Sequence, residues 1–115
     1  MPYYLLQLSY TAESWDRLVK EPQNRLEKVA PVVEALGGKF ERAFLSFGDY
    51  DAVGILYFQD TIAAAALSMA IMAGGGIKNI KTTPMISWEE GVEAMKKAKK
   101  AAYKPPEANP MLERE

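Results

Sequence analysis

The chain has 115 residues, 49% hydrophobic and 25% charged, which describes one globular domain with a single core and no second domain. It contains no Cys, which excludes disulfides, thiolate nucleophiles and zinc–thiolate sites, and no His, which excludes His-ligated metal or haem, a Ser-His-Asp triad and the usual base at neutral pH. Fourteen basic against fifteen acidic residues give a net charge of −1, without the basic excess of a general nucleic-acid binder.

Tyr3 to Tyr10 reads as a strand bounded by Pro2 and the polar Thr11-Ala12-Glu13, with Tyr4, Leu6, Leu8 and Tyr10 on one face and Tyr3, Leu5, Gln7 and Ser9 on the other. The sequence MPYYLLQLSY lacks the basic start and small-residue cleavage site of a signal peptide, so a cytoplasmic protein is expected. A helix in two pieces follows. Thr11 is its N-cap, Trp15, Leu18 and Val19 form its first apolar stripe, and Pro22 suits the first turn of a second segment. Leu26, Val29, Val33 and Leu36 continue the stripe, Pro31 should kink it, and Gly37-Gly38 stops it. Strands are predicted over 39–47 and 51–58, joined by the three-residue loop Gly48-Asp49-Tyr50. Simple alternation puts Phe40, Arg42, Phe44 and Ser46 on one face of the first of these strands.

Asp60 or Thr61 caps the next helix, which runs to about Ala73 and is apolar on almost every side. Such a helix needs cover on more than one side, which in a small chain implies another subunit. Its run from Ile62 to Ala73, broken by Ser68, is shorter than the ~20 residues of a membrane span, so no membrane contact is expected. After Gly74-Gly75-Gly76, residues 77–86 form a fourth strand in which Pro84 marks a sheet edge. Ser87-Trp88-Glu89-Glu90 is a capping box, opening a helix predicted to reach Lys104 with acids at its start and lysines at its end. Residues 105–115 carry three Pro and read as an arm or disordered tail outside a domain spanning 1–104.

The order strand–helix–strand–strand–helix–strand is the split βαβ pattern of a ferredoxin-like α+β fold: a four-stranded antiparallel sheet with helices on one face, here with an additional C-terminal helix. A compact chain of this length has a radius of gyration of about 13 Å. Neither face of the predicted sheet is clearly polar. The second face is therefore covered either by the last helix or by another copy, and a homo-oligomer is the economical expectation.

The hairpin Ser46-Phe47-Gly48-Asp49-Tyr50-Asp51 resembles the signature of the GYD-domain family, small bacterial proteins named for that tripeptide. Tyr3-Leu5-Leu6 with Tyr10-Thr11, Gly37-Gly38-Lys39, the alanine-rich helix and Ile80-Lys81-Thr82-Thr83-Pro84 extend the resemblance over residues 3 to 100. The resemblance implies a fold similar to the dimeric α/β-barrel proteins, in which two such sheets face each other. It carries no reaction.

Candidate site residues come in three groups. Asp49 and Asp51, two residues apart with Tyr50 between, could bind a cation or orient a polar ligand. Equally, the loop could be plain turn chemistry, with Gly48 at positive φ. Two carboxylates alone make no metal site, so none is expected. Gly74, Gly75 and Gly76 with Lys78 and Lys81 invite an anion reading, but they follow a helix and meet its negative end, so a C-cap is the better account. Lys81 and Thr83 share a face and, with Tyr3, Gln7, Arg42 and Tyr57, could line a pocket where two sheets meet. Trp15 and Trp88 read as anchors on the sheet; Met69, Met72 and Met95 read as core or interface fillers.

No cofactor is implied. The leading expectation is a small-molecule-binding or regulatory homo-oligomer. An alternative is a cofactor-independent enzyme of the oxygenase or isomerase type, by fold analogy, with acid–base work falling to Asp49, Asp51, Tyr50, Tyr57 or Lys81. A structural or partner-binding protein is the third reading.

Overall fold

The computed structural model describes residues 2–107. Its elements are β1 (Tyr3–Tyr10), α1 (Ala12–Lys20), α2 (Leu26–Ala35), β2 (Gly38–Leu45), β3 (Ala52–Phe58), α3 (Thr61–Gly74), β4 (Ile77–Met85) and α4 (Trp88–Lys100). The strands form one antiparallel sheet in the order β2-β3-β1-β4, the ferredoxin-like arrangement the sequence predicts, with Pro84 on the edge strand β4. Among the described residues no helix is long and apolar enough to cross a membrane. The tail beyond Glu107 lies outside the described residues.

Side-chain caps set where the helices begin. Thr11 accepts from the Ser14 backbone N–H, Asp60 from that of Ala63, and Ser87 exchanges two 3.0 Å bonds with Glu90 in a complete capping box. The second helix does not begin at Pro22. The Asn24 side chain takes the Leu26 N–H at 3.0 Å, and α2 starts there, leaving residues 21–25 as a link. Pro31 lies inside α2, which runs through it. α4 ends at Lys100, one turn short of the predicted Lys104.

The core lies between the sheet and α2 and α3. It consists of Tyr4 and Leu6 of β1, Leu56 and Phe58 of β3, Val33 of α2, and Ala64 and Leu67 of α3. Tyr4 meets Phe58 edge to face at 5.9 Å. Gly38 makes room for that ring, since a Cβ there would collide with Phe58 and lie 2.9 Å from the Tyr57 carbonyl oxygen.

β2 departs from simple alternation. A bulge at Glu41 sets Phe40 opposite Leu56 and Arg42 opposite Ile55, so the strand changes phase. Phe40 therefore packs on the helix side, beside Gly54, while Arg42 and Phe44 face the other way. The predicted grouping of Phe40 with Arg42 and Phe44 fails because the bulge adds one residue to the strand. The loop that follows is also longer than predicted: β2 ends at Leu45 and β3 begins at Ala52.

α4 buries no residue, and the radius of gyration is 19.4 Å rather than about 13 Å, with a longest extent of 60 Å. Trp88, expected as a sheet anchor, is 84% exposed, and Met95 and Val92 are exposed beside it on the same helix. α3 buries only Ala64 and Leu67, leaving Ile62 at 81% and Met69 at 71% exposure, so neither Met69 nor Met95 fills this chain's core.

Candidate functional site

Among the described residues, α2 and α3 pack on the other face of the sheet and α4 buries no residue, so no helix seals the second face. Strand register builds it in three rows. Lys39, Tyr57, Tyr3 and Met85 form the first, Arg42, Ile55, Leu5 and Thr83 the second, and Phe44, Val53, Gln7 and Lys81 the third. The pleat explains the grouping: residues two apart share a face, and antiparallel partners stand side by side. Six of the predicted site residues (Tyr3, Gln7, Arg42, Tyr57, Lys81 and Thr83) thus come together on one surface from all four strands. Tyr3 and Tyr57 meet edge to face at 5.4 Å, and the Arg42 guanidinium lies 5.0 Å from the Phe44 ring centre. Ile55, in the middle of this apolar field, remains 36% exposed.

Asp49, Tyr50 and Asp51 do not join that group. They belong to the β2–β3 loop, which is pinned against β1 by its backbone and by Asp51. The Ser9 hydroxyl donates to the Asp49 carbonyl at 2.9 Å, the Ser46 hydroxyl donates to the Tyr50 carbonyl at 2.7 Å, and the Asp51 N–H donates to the Leu8 carbonyl at 2.8 Å. The Asp51 Oδ2 accepts from the Tyr10 backbone N–H at 2.9 Å and from the Trp15 indole N–H at 3.1 Å. Trp15 also meets the Tyr10 ring edge to face at 5.3 Å, so it is an anchor, as expected. One carboxylate thereby ties the loop, the end of β1 and the start of α1 together. Gly48, at φ 159°, sits on the border of extended backbone; hydrogen bonds rather than an unusual glycine conformation hold this loop. Phe47 at its tip is fully exposed.

Burial raises the Tyr10 phenol above its ordinary pKa; the Asp51 charge adds to the rise and Arg25 opposes it. Glu90 is held below its ordinary range by its bonds to the Ser87 backbone and hydroxyl.

The glycine run is a helix stop. The Gly75 N–H returns to the Met72 carbonyl, and Gly75 and Gly76 take φ of 77° and 83°. The Gly76 carbonyl accepts from the Thr11 N–H at 3.1 Å and the Ser14 hydroxyl at 2.8 Å, tying the turn to α1. Gly74 closes α3. Among the described residues no three acidic side chains gather as a cation site would require.

The signal missed at the sequence level was the pairing of Asp51 with Trp15, 36 residues apart, which only the antiparallel register brings together. A comparison with known families matches the GYD domain over residues 4–95, most of the chain. Comparison with curated proteins and with solved structures returns no match. The chain belongs to the GYD-domain family, and the matched stretch runs from β1 into α4.

Proposed function

We propose that the chain works as a small-molecule-binding homodimer, with the open sheet faces of two copies turned toward each other around the ligand. One observation carries this reading. Tyr3, Gln7, Arg42, Tyr57, Lys81 and Thr83 share an uncovered face whose remaining surface is Leu5, Phe44, Val53, Ile55 and Met85, with Lys39 on the edge strand. A mostly apolar wall with a few convergent polar groups is the usual form of a small-ligand site, and a bare face of this composition favours association.

Area supports a contribution from beyond the sheet. Four strands about 4.8 Å apart, each about 26 Å long at about 3.3 Å per residue, present roughly 500 Å² of flat area. Stable interfaces bury about 800 Å² per partner. The exposed Trp88, Val92 and Met95 of α4 lie on one side of a helix that touches no core of its own, and they are suited to supply the rest.

Native mass spectrometry of protein purified from its own host tests the reading. The expected result is a species of twice the 12.8 kDa chain that carries a small mass lost on denaturation. Ile55→Arg, which places a charge at the centre of the face, should return the protein to a single chain and release that mass. A bare monomer before substitution would overturn the proposal.

A further inference from the structure

α1 and α2 do not seal the helix side of the sheet. α1 buries no residue, α2 buries only Val33, and the link 21–25 separates them. Between them lies a cleft of about 470 Å³, with Leu8 and Tyr10 of β1 among its lining residues and the Gly74-Gly75-Gly76 turn at its rim. That volume is within the range of small-ligand sites, about 300–1,000 Å³. The cleft lies on the opposite side of the sheet from the face assigned above to dimerisation and ligand binding.

Its lining has a marked polarity. Leu18 of α1, Val29 of α2 and Ile71 of α3 make an apolar wall. The charged residues are Arg17, Arg25 and Lys28, and no Asp or Glu lines the cleft. In a chain whose net charge is −1, three cations without one acid are a local concentration of positive potential. The ion pairs among the described residues join Lys20 to Asp16 and Lys96 to Glu93, so none engages these three. Arg25 reaches only the neutral Gln23 side chain, at 3.5 Å. Arg17 borders Glu13 and Asp16 on the outer side of α1, but inside the cleft the three cations meet no carboxylate, and a bound anion supplies one.

The glycine end cannot hold the negative group. It is the C-terminus of α3, where backbone carbonyls carry the helix's partial negative charge. An anionic head therefore belongs at the α1–α2 link, and its apolar body extends toward Ile71. Tyr10, protonated at neutral pH like any phenol, offers a hydroxyl donor in the same lining.

We infer that this cleft binds a small organic anion, with a carboxylate or phosphate head held by Arg17, Arg25 and Lys28 and an apolar body lying on Leu18, Val29 and Ile71. The inference stands independently of the sheet-face reading.

The test is a backbone amide NMR titration of the full chain with three probes sharing one tail: octanoate, octyl phosphate and octylammonium. Octanoate or octyl phosphate should shift the amides of Ser14, Lys28, Val29 and Ile71 saturably, and the tighter of the two identifies the head. Octylammonium should leave them in place. The double variant Arg17→Gln with Arg25→Gln should weaken the anion by about tenfold or more, because charge-assisted hydrogen bonds are lost. Both side chains are exposed, so the urea midpoint should not fall. Ile55→Arg, which disrupts the other face, should leave anion binding intact. Equal shifts from octylammonium and octanoate, shifts at Tyr3 and Ile55 instead, or unchanged affinity in the double variant would each overturn the inference.

Discussion

Asp51→Ala is the most informative single change, because it separates a ligand-binding carboxylate from a structural one. Asp51 Oδ2 accepts the Tyr10 N–H at 2.9 Å and the Trp15 indole N–H at 3.1 Å. Removing it leaves both donors without a partner in a partly buried corner. A donor stripped of its acceptor costs about 1–3 kcal/mol, and both donors here retain some access to water, so about 2–4 kcal/mol in total is expected. For a domain of this size 1 kcal/mol shifts Tm by about 4 °C or slightly more, so the variant should melt roughly 8–16 °C below the parent. Asp51→Asn keeps an oxygen acceptor and loses only the charge, so it should cost about 1 kcal/mol. Circular-dichroism melting gives the shifts and urea titration gives the free energies. All proteins should be compared at one concentration, because association would raise Tm by mass action. If Asp51→Ala melts within about 2 °C of the parent, or if Asn and Ala cost the same, the carboxylate is not a structural tie.

Further changes test other parts of the fold. Gly38→Ala drives a methyl into the Phe58 ring and the Tyr57 carbonyl and should lower stability by about 1–3 kcal/mol, seen as a lower urea midpoint at unchanged slope. Tyr10 has a raised pKa in the fold, so its contribution is complete below the ordinary phenol value, about 10, and is lost as pH rises through the folded value. Arg25→Gln should raise that value further, read from the Tyr10 ring resonances during alkaline titration. Glu90 has a lowered pKa, so its half of the capping box is present above the ordinary carboxyl value, about 4.3, and is lost as pH falls through the folded value. The Ser87 amide resonance should follow that titration, and Glu90→Gln should abolish its acid dependence.

Most of the architecture was legible because local chemistry and tertiary need agree. Ser87 with Glu90, Thr11 and Asp60 mark helix starts by side-chain geometry alone, and these caps occur as read. Two errors share one physical cause, that backbone irregularity has no composition signature. The bulge at Glu41 reverses the faces of β2 without altering a single propensity, and the Asn24 turn delays α2 by a few residues. Trp88 failed differently. Its place in a capping box says that a helix begins there, and nothing local says what the helix packs on.

The candidate surfaces divide along the same line. Tyr3, Gln7, Tyr57, Lys81 and Thr83 could be grouped in advance, because period-two alternation assigns faces within a strand and the split βαβ order assigns strand neighbours; Arg42 joins them through the bulge at Glu41, which turns it away from the face of Phe40. The basic cleft could not, because Arg17, Arg25 and Lys28 lie on two helices and a link whose spacing is set by tertiary packing.

The position of Asp51 then bears on what the family signature means. Its carboxylate and backbone N–H, with the Asp49 carbonyl, hold the β2–β3 loop against β1, the Tyr50 carbonyl accepts from Ser46 within the loop, and the bond from Asp51 to Trp15 fixes how α1 leaves the sheet. α1 is also one wall of the cleft, through Ser14, Arg17 and Leu18. A tie at Asp51 therefore acts on both sides of the sheet: it steadies the end of the open face and sets the position of Arg17 beside the link. In this reading the carboxylate that directly follows the Gly48-Asp49-Tyr50 tripeptide is a structural device that orients two surfaces. The direct consequence is that Asp51→Asn, which retains the fold, should weaken anion binding in the cleft less than Arg17→Gln does. The opposite order, measured by the same octanoate titration, would place the Asp51 carboxylate in ligand recognition itself.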